Sequence, residues 1–201
     1  CTLFFLNFSF EFCASRLEHK SKRMAGILFF KLRVFNFICK IMRSMNIKAF
    51  CFNAFSENTY VIYSDEGNCW IIDPGCSNRD EQSQLVQFIE NNGLTPQKLL
   101  LTHAHIDHIL GCSFVYDSYG LLPLMHPGEL ETLRSGVFVA KMYGVPYTPC
   151  KEPEVFLREG DILDLDGNEW LCLFTPGHSP ASLCFFSNND KLSIFSCYDN
   201  N

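Results

Sequence analysis

The chain has 201 residues, 19% of them charged, and a formal net charge of −6, which suits a single domain of ordinary size with a buried core. The charge is uneven: residues 1–44 carry eight basic and two acidic side chains, so residues 45–201 hold a net −12. Nucleic-acid binding depends on clustered Lys and Arg, so the acidic part argues against a nuclease and predicts no nucleic-acid partner.

The first 44 residues are predicted to be a leader outside the folded domain. Basic residues interrupt the apolar stretch 26–42, so a membrane span, which needs about 20 mostly apolar residues, is not expected. An organellar transit peptide or a membrane-surface helix is one interpretation of this basic segment. Upstream sequence read through ahead of a start at Met45 is the favoured one, and we assign 45–201 to the domain.

Strands and helices are both predicted between Ala49 and the carboxyl end. The segment from Arg79 places Leu85 and Ile89 at helical spacing, and Gly93 follows it as a suitable C-cap residue. This mixture predicts an α/β (α+β) domain. Predicted strands cover 49–55, 58–64, 69–73, 121–125, 162–165, 169–174, 182–187 and 191–196; predicted helices cover 79–92, the segment from the histidine cluster to 119, and 128–143.

Four side chains of the kinds that bind metals lie within six positions: His103, His105, Asp107 and His108. They follow the apolar run 98–101, which is typical of a buried strand, so we place them where α/β sheets build their sites, beyond the carboxyl end of a strand. Imidazole and carboxylate ligands without a thiolate indicate zinc, or iron or manganese. Helix capping is the alternative for Asp107, but capping does not explain three histidines.

A second loop supplies one more candidate ligand, His178. It follows the apolar, strand-like run 170–173. Alone, this residue would be interpreted as an ordinary loop histidine. Beside the first cluster, it is the ligand from a second strand-end loop that a closed metal site requires.

Three motifs occur in order along the chain: IDPG at 72–75, THAHIDH at 102–108 followed by Gly111, and TPGHSP at 175–180. In this order and spacing they resemble the metallo-β-lactamase-fold hydrolases, particularly the glyoxalase II-like branch. The similarity runs from about Met45 to about Phe195. It implies an αββα sandwich with metals bound at one edge, where strand-end loops meet.

The resemblance also implies roles for the candidate ligands. His103, His105 and His178 would hold the first metal, and Asp107 and His108 would contribute to the second. Two Zn²⁺ ions per site are the family pattern, with iron or manganese as alternatives. A zinc held by three imidazoles lowers the pKa of its water from about 15.7 toward roughly 7, which makes hydroxide available, and Asp107 would also orient that water as a catalytic residue.

The chain departs from the family pattern after the strand-like run 192–196. The family continues with a bridging Asp after a Gly and has a last His near its end, whereas this chain reads CYDNN. Asp199 is one position off, and such a slip reverses the direction of a side chain on a strand. We therefore expect an incomplete second half of the sandwich, as in a truncated gene model, and assign Asp73 to supporting the metal-binding loops.

The implied reaction is hydrolysis of a small-molecule thioester of a 2-hydroxy acid. Two alternatives stay open: a mononuclear iron enzyme of the same fold, such as a persulfide dioxygenase using His103, His105 and an acid, and an inactive, truncated metal-binding product.

Eleven cysteines, an odd number with no CxxC pair, indicate reduced thiols and a cytoplasmic location. Cys76 and Cys112 flank the motifs but are assigned as buried bystander thiols rather than metal ligands.

Overall fold

A computed structural model of the protein describes residues 45–195. The predicted leader and Asp199 lie outside this range. In chain order the elements are β1 (Met45–Phe52), β2 (Glu57–Ser64), β3 (Asn68–Ile72), α1 (Arg79–Asn91), β4 (Thr95–Leu100), α2 (Ile106–Ile109), α3 (Cys112–Tyr119), β5 (Pro123–Leu124), a 3₁₀ turn (Pro127–Glu129), α4 (Leu130–Tyr143), β6 (Ile162–Leu165), β7 (Asn168–Phe174), β8 (Leu183–Ser187) and β9 (Leu192–Ile194).

The strands form two sheets. The first has the order β1-β2-β3-β4-β5, with antiparallel pairing up to β3 and parallel pairing from β3 through β5. The second sheet is the antiparallel meander β6-β7-β8-β9. Because β3 and β4 are parallel, their carboxyl ends reach the same edge of the first sheet, and the segments that follow them start side by side.

Successive side chains along each strand of the first sheet point to opposite faces, so the apolar residues of this sheet are divided between two cores. Val61 and Ile71 pack with the helices on one face, whereas Ile62 and Trp70 face the second sheet. Trp70 meets Trp170 of β7 edge-on, with ring centroids 6.1 Å apart. The molecule is therefore layered as helices, first sheet and second sheet.

This layering confirms the predicted α/β sandwich class. Among residues 45–195 no helix follows on the far side of the second sheet, because β6 to β9 are joined only by loops and turns. None of the helices in this range combines the length and apolar composition that a membrane-spanning segment needs.

The helix predicted from the histidine cluster to Tyr119 is divided into α2 and α3, so that prediction was wrong in this detail. The interruption falls at Gly111, whose N–H donates to the Pro74 carbonyl at 2.7 Å. A Cβ at this position would lie 2.4 Å from Cys76 Sγ and 2.8 Å from the Pro74 oxygen. The close approach of two loops therefore requires glycine here and ends α2 after one turn.

Two predicted strands differ clearly from the structure in their bounds, and most of the others shift by one to three residues. The first runs from Met45 to Phe52, earlier than expected, and is followed by Asn53 with a left-handed φ of 51°. The strand predicted at 121–125 is reduced to Pro123–Leu124. The left-handed turn at Asn53, which the strand pattern does not encode, ends the first strand.

Candidate metal centre

The loops after β3 and β4 are joined by one buried carboxylate. Asp73 accepts hydrogen bonds from the Thr102 N–H at 2.7 Å and from the Thr102 hydroxyl at 2.6 Å. Its own N–H donates to the Leu100 carbonyl, and its φ is +49°, a left-handed conformation that Asp adopts more readily than most residues. These contacts fix where the histidine segment leaves the sheet.

Three imidazoles converge beyond this junction. Ligand nitrogens of His103, His105 and His178 all lie within 4.8 Å of one another. His105 Nδ1 is 3.1 Å from His178 Nε2, a separation at which two neutral rings either share a proton or direct their lone pairs at one cation. The structure thus brings His178 from the loop between β7 and β8 to the two histidines that follow β4.

The hydrogen bonds of His103 fit a metal ligand. The Thr102 hydroxyl gives its proton to Asp73, so it is an acceptor toward His103 Nδ1, which lies 3.0 Å away. Nδ1 then carries the proton, and Nε2 presents a lone pair. Nε2 is buried and has no hydrogen-bond partner. A buried lone pair without a donor is costly, and a metal cation would satisfy it.

The pKa values of His103 and His105 favour their neutral, ligating form. Burial, followed by the neighbouring His108, His105 and His178, lowers the pKa of His103 to about 2. Burial and His178 also lower the pKa of His105. Neutral histidines side by side are ready to bind a cation without first releasing protons.

His108 stands between two carboxylates. Its Nδ1 lies 3.1 Å from Asp73 Oδ2, and its Nε2 lies 3.4 Å from Asp107 Oδ2. Burial would lower the pKa of His108, but the charge and hydrogen bond of Asp73 and the charge of Asp107 raise it above its usual value. Its ring centroid is 4.1 Å from that of His103, so the second candidate position adjoins the first.

Asp73 and Asp107 differ in what they are free to bind. Asp73, His103 and His108 have ligand atoms close enough to form a second candidate group. However, Asp73 is 2% exposed, and Thr102 already donates a hydrogen bond to each of its oxygens. Asp73 is therefore better suited to orienting the His108 ring than to binding a metal itself. The Asp107 side chain is 27% exposed and faces the opposite nitrogen of His108. Asp107 with His108 therefore stays the predicted second ligand pair.

Glu57 is a buried carboxyl group beside this cluster. Burial first, then the charge of Asp73, raises its pKa to about 10, so the group is neutral near pH 7. Thr59 donates to its Oε2 at 2.9 Å, and its Oε1 lies 3.7 Å from His108 Nδ1. A neutral Glu57 forms no ion pair with His108, and the carboxylate nearer to His108 Nδ1 is that of Asp73.

Sequence reasoning missed several residues that shape the centre. Glu57, Glu129 and Asn53 lie far from the motifs in sequence, and no pattern in the chain marks them. The Asn53 side-chain amide donates to the carbonyls of Gly75 and Asp107, each at 3.0 Å, which holds the Asp107 turn against the loop after β3. Thr102 belongs to a quoted motif, but its hydroxyl was given no role.

The structure places the two cysteines beside the motifs in the interior, and their bystander role stays a prediction. Cys76 and Cys112 are buried, and burial raises the pKa of the Cys76 thiol to about 12. Within residues 45–195, neither group of candidate ligands includes a cysteine.

Two clefts open beside the imidazoles. One, of about 240 Å³, lies between the histidine segment and α4. A smaller one, of about 130 Å³, lies over Asp73, Asp107 and His108. Asp107 borders both clefts, so it lies where a substrate would meet the metal ligands. The larger cleft is lined by Phe55, Ala104, His105, Ile106, Asp107, Thr132, Ser135, Gly136, Val139 and Tyr143.

This chain is a two-sheet sandwich with histidines and carboxylates gathered at one edge, which is the architecture of a class of metal-binding hydrolases. The chain belongs to the metallo-beta-lactamase superfamily, whose family model matches residues 53–194.

Known proteins of this family are similar over most of the described range. The chain is 34% identical over 153 residues to hydroxyacylglutathione hydrolase GloC of Haemophilus influenzae, covering 75% of this chain and 70% of that protein. It is 34% identical over 140 residues to the probable metallo-hydrolase YqgX of Bacillus subtilis, covering 68% of this chain and 63% of that protein. The crystal structure of TTHA1623 in a di-iron-bound form superposes with a TM-score of 0.63 at 26% identity, covering 76% of this chain and 77% of that one.

Proposed function

We propose that this metallohydrolase cleaves a thioester of a small hydroxy acid with a metal-activated water. The observation that carries the proposal is the convergence of three imidazoles, one of them with a buried nitrogen that has no partner. The similarity to a hydroxyacylglutathione hydrolase supports the thioester class.

The residues that would hold the metals divide into two sets. His103, His105 and His178 would bind the first ion, and Asp107 with His108 would bind a second. When bound, such ions lower the pKa of a coordinated water and polarise a carbonyl oxygen. The ligand set of imidazole and carboxylate suits zinc, iron or manganese, and the relative solved with two irons supports iron as an alternative to zinc.

Asp107 is the proposed catalytic residue of the chain. Its carboxylate borders both clefts, and Asn53 fixes its backbone carbonyl. It is a hydrogen-bond acceptor for the attacking water and orients that water toward the substrate carbonyl. His108 lies beside it, with Nδ1 3.1 Å from Asp73 and Nε2 3.4 Å from Asp107, so both side chains of the second pair border the smaller cleft.

The larger cleft is the proposed substrate position. Phe55 and Tyr143 pack edge to face across its rim, with ring centroids 5.4 Å apart. Val139 adds an apolar wall, whereas Thr132 and Ser135 offer hydroxyl groups. This mixture suits a small molecule with an apolar part and a few hydrogen-bonding groups.

The proposed location is the cytoplasm. The cysteines of the described range are free, and five of these seven thiols are buried, which suits a reducing compartment.

The experiment is hydrolysis of a 2-hydroxyacyl glutathione thioester by the full chain, followed through loss of thioester absorbance, with elemental analysis of the same sample. We expect turnover and bound metal in the wild type, and loss of both in His105→Ala. The matched control is His126→Ala, which lies outside both groups of candidate ligands. Full turnover in His105→Ala would reject the hydrolase; iron in place of zinc, with oxidation of a persulfide instead of thioester hydrolysis, would favour the dioxygenase alternative.

A further inference from the structure

Glu129 is a fully buried carboxylate at the end of the 3₁₀ turn that precedes α4. It lies outside the candidate ligand groups, yet its two oxygens reach both histidine loops. Oε2 accepts the Ala104 N–H at 3.0 Å, and Ala104 stands between His103 and His105. Oε1 accepts the Ala181 N–H at 2.8 Å and the hydroxyl of Ser179, the residue that follows His178.

We propose that Glu129 is a positioning residue that sets the separation of the two histidine loops and thereby the metal affinity of the centre. This inference rests on the proposed metal-binding function. The loops come from different sheets, since one follows β4 and the other follows β7. A single carboxylate that accepts from both loops fixes the distance between His105 and His178.

A direct backbone hydrogen bond adds to the three that Glu129 accepts and makes this connection rigid. Leu183 N–H donates to the Thr102 carbonyl at 2.8 Å, which joins the start of β8 to the same segment on its other side. One such bond would leave the loops free to rotate about it. With Glu129 on the far side of Ala104, both the distance and the rotation of the histidine backbones are set.

The 3₁₀ turn also packs tightly against the second loop. A Cβ at Gly128 would lie 2.6 Å from the Ala181 Cβ, so the backbone before Glu129 approaches the second loop more closely than any side chain at position 128 would allow. Glu129 therefore has little freedom to shift while keeping its three donors. Its negative charge also acts on His105, where it raises the pKa against the effect of burial.

The geometry dictates which substitutions are informative. Glu129→Gln keeps the shape but turns one acceptor into an N–H group, which then faces an N–H or hydroxyl donor of one loop. Glu129→Asp keeps the charge but is one methylene too short to reach both loops. Glu131→Gln is the matched control, because Glu131 is 83% exposed and lies one position into α4.

The test is a zinc titration of the metal-free full chain in competition with a chromophoric chelator. We expect both Glu129 variants to bind zinc roughly 10- to 100-fold more weakly than the wild type, the range typical for residues that orient ligands. Glu131→Gln should bind as the wild type does. Weakening in Glu129→Asp separates loop positioning from loss of charge. Cobalt absorption reports ligand geometry independently of activity, and its visible bands should change in both Glu129 variants.

The outcomes separate this inference from the proposed function. If the wild type binds no metal, the proposed function fails, and this inference fails with it. If the wild type binds and both folded Glu129 variants match its affinity and cobalt spectrum, only the positioning role is overturned. Should Glu129→Gln not fold, Ser179→Ala decides, because it removes one donor of three. We expect several-fold weaker binding there, and wild-type affinity in both Ser179→Ala and Glu129→Asp would overturn the inference.

Discussion

Thr102 Oγ1 lies 2.6 Å from Asp73 Oδ2 and 3.0 Å from His103 Nδ1, so one hydroxyl connects a buried carboxylate to a candidate metal ligand. The single proton of Thr102 goes to the carboxylate, and the oxygen accepts from the imidazole. This relationship sets which nitrogen of His103 faces the site, and it can be tested without changing any candidate ligand.

Thr102→Val should weaken metal binding and the fold together. The substitution leaves Asp73 Oδ2 without this donor and His103 Nδ1 without an acceptor, and a buried unsatisfied polar group costs about 1–3 kcal/mol. We expect zinc affinity to fall roughly 10- to 100-fold, measured by chelator competition. Thr102→Ser should restore both, and Thr95→Val, at an exposed position of β4, the strand that precedes Thr102, is the matched control. Unchanged zinc affinity in Thr102→Val would contradict the role of the Thr102 hydroxyl in orienting His103.

Glu57→Gln should stabilise the metal-free protein at neutral and alkaline pH. The pKa of Glu57 is about 10 in the folded state against 4.5 for the free group, so the folded protein keeps a proton that the unfolded chain releases between these values. Stability contributed by this group therefore falls as pH rises through that window. We expect Glu57→Gln to gain about 1–3 kcal/mol at pH 8 in denaturant unfolding with chelator present. Glu169→Gln, at an exposed position of β7, should gain nothing; an equal gain in both would refute this explanation.

Acid should destabilise the metal-free protein through His103. Its pKa is lowered from 6.5 to about 2, so below pH 6.5 the unfolded chain binds a proton that the folded state does not accept. The stability that His103 contributes is thus fully present above pH 6.5. As pH decreases below 6.5, this contribution is lost by up to about 1.4 kcal/mol per pH unit. His103→Gln should flatten the decline between pH 6.5 and 5, measured by unfolding in the presence of chelator. An identical slope in the variant would show that other groups cause the decline.

Thiol labelling should distinguish Cys51 from three buried cysteines of residues 45–195. Cys51 is exposed, whereas Cys69, Cys76 and Cys172 are buried, and burial raises the pKa of each of these three thiols to about 12. Only thiolates react readily, so we expect Cys51 to be alkylated in the native protein and the three others only after unfolding. Peptide mass spectrometry gives the result site by site. Rapid native labelling of Cys76 would contradict the packing around Gly111.

The sequence predicted those parts of the centre that are encoded locally. The histidine segment follows the apolar run 98–101, and such a run is enough to place the segment at the end of a buried strand. His178 was predicted from a second strand-end loop, and the structure puts it 3.1 Å from His105. Their roles as ligands stay predictions, because only metal binding can test them.

What the sequence could not predict depends on contacts between distant segments. Glu129 meets Ser179 across 50 positions, and no periodicity marks a buried carboxylate whose donors are backbone N–H groups of other loops. The division between α2 and α3 has the same origin, since it follows from the approach of Gly111 to Pro74 and Cys76. Local propensity favours a continuous helix there, and tertiary packing overrides it.

The contact between Trp70 and Trp170 gives the molecule an intrinsic optical reporter. These are the two tryptophans of the chain, one in each sheet, and both are fully buried at the interface between the sheets. Their fluorescence therefore comes from one place, the plane along which the sheets would part. If removal of metal shifts the tryptophan emission to longer wavelength, the two sheets loosen when the histidine loops lose the ion that both would bind.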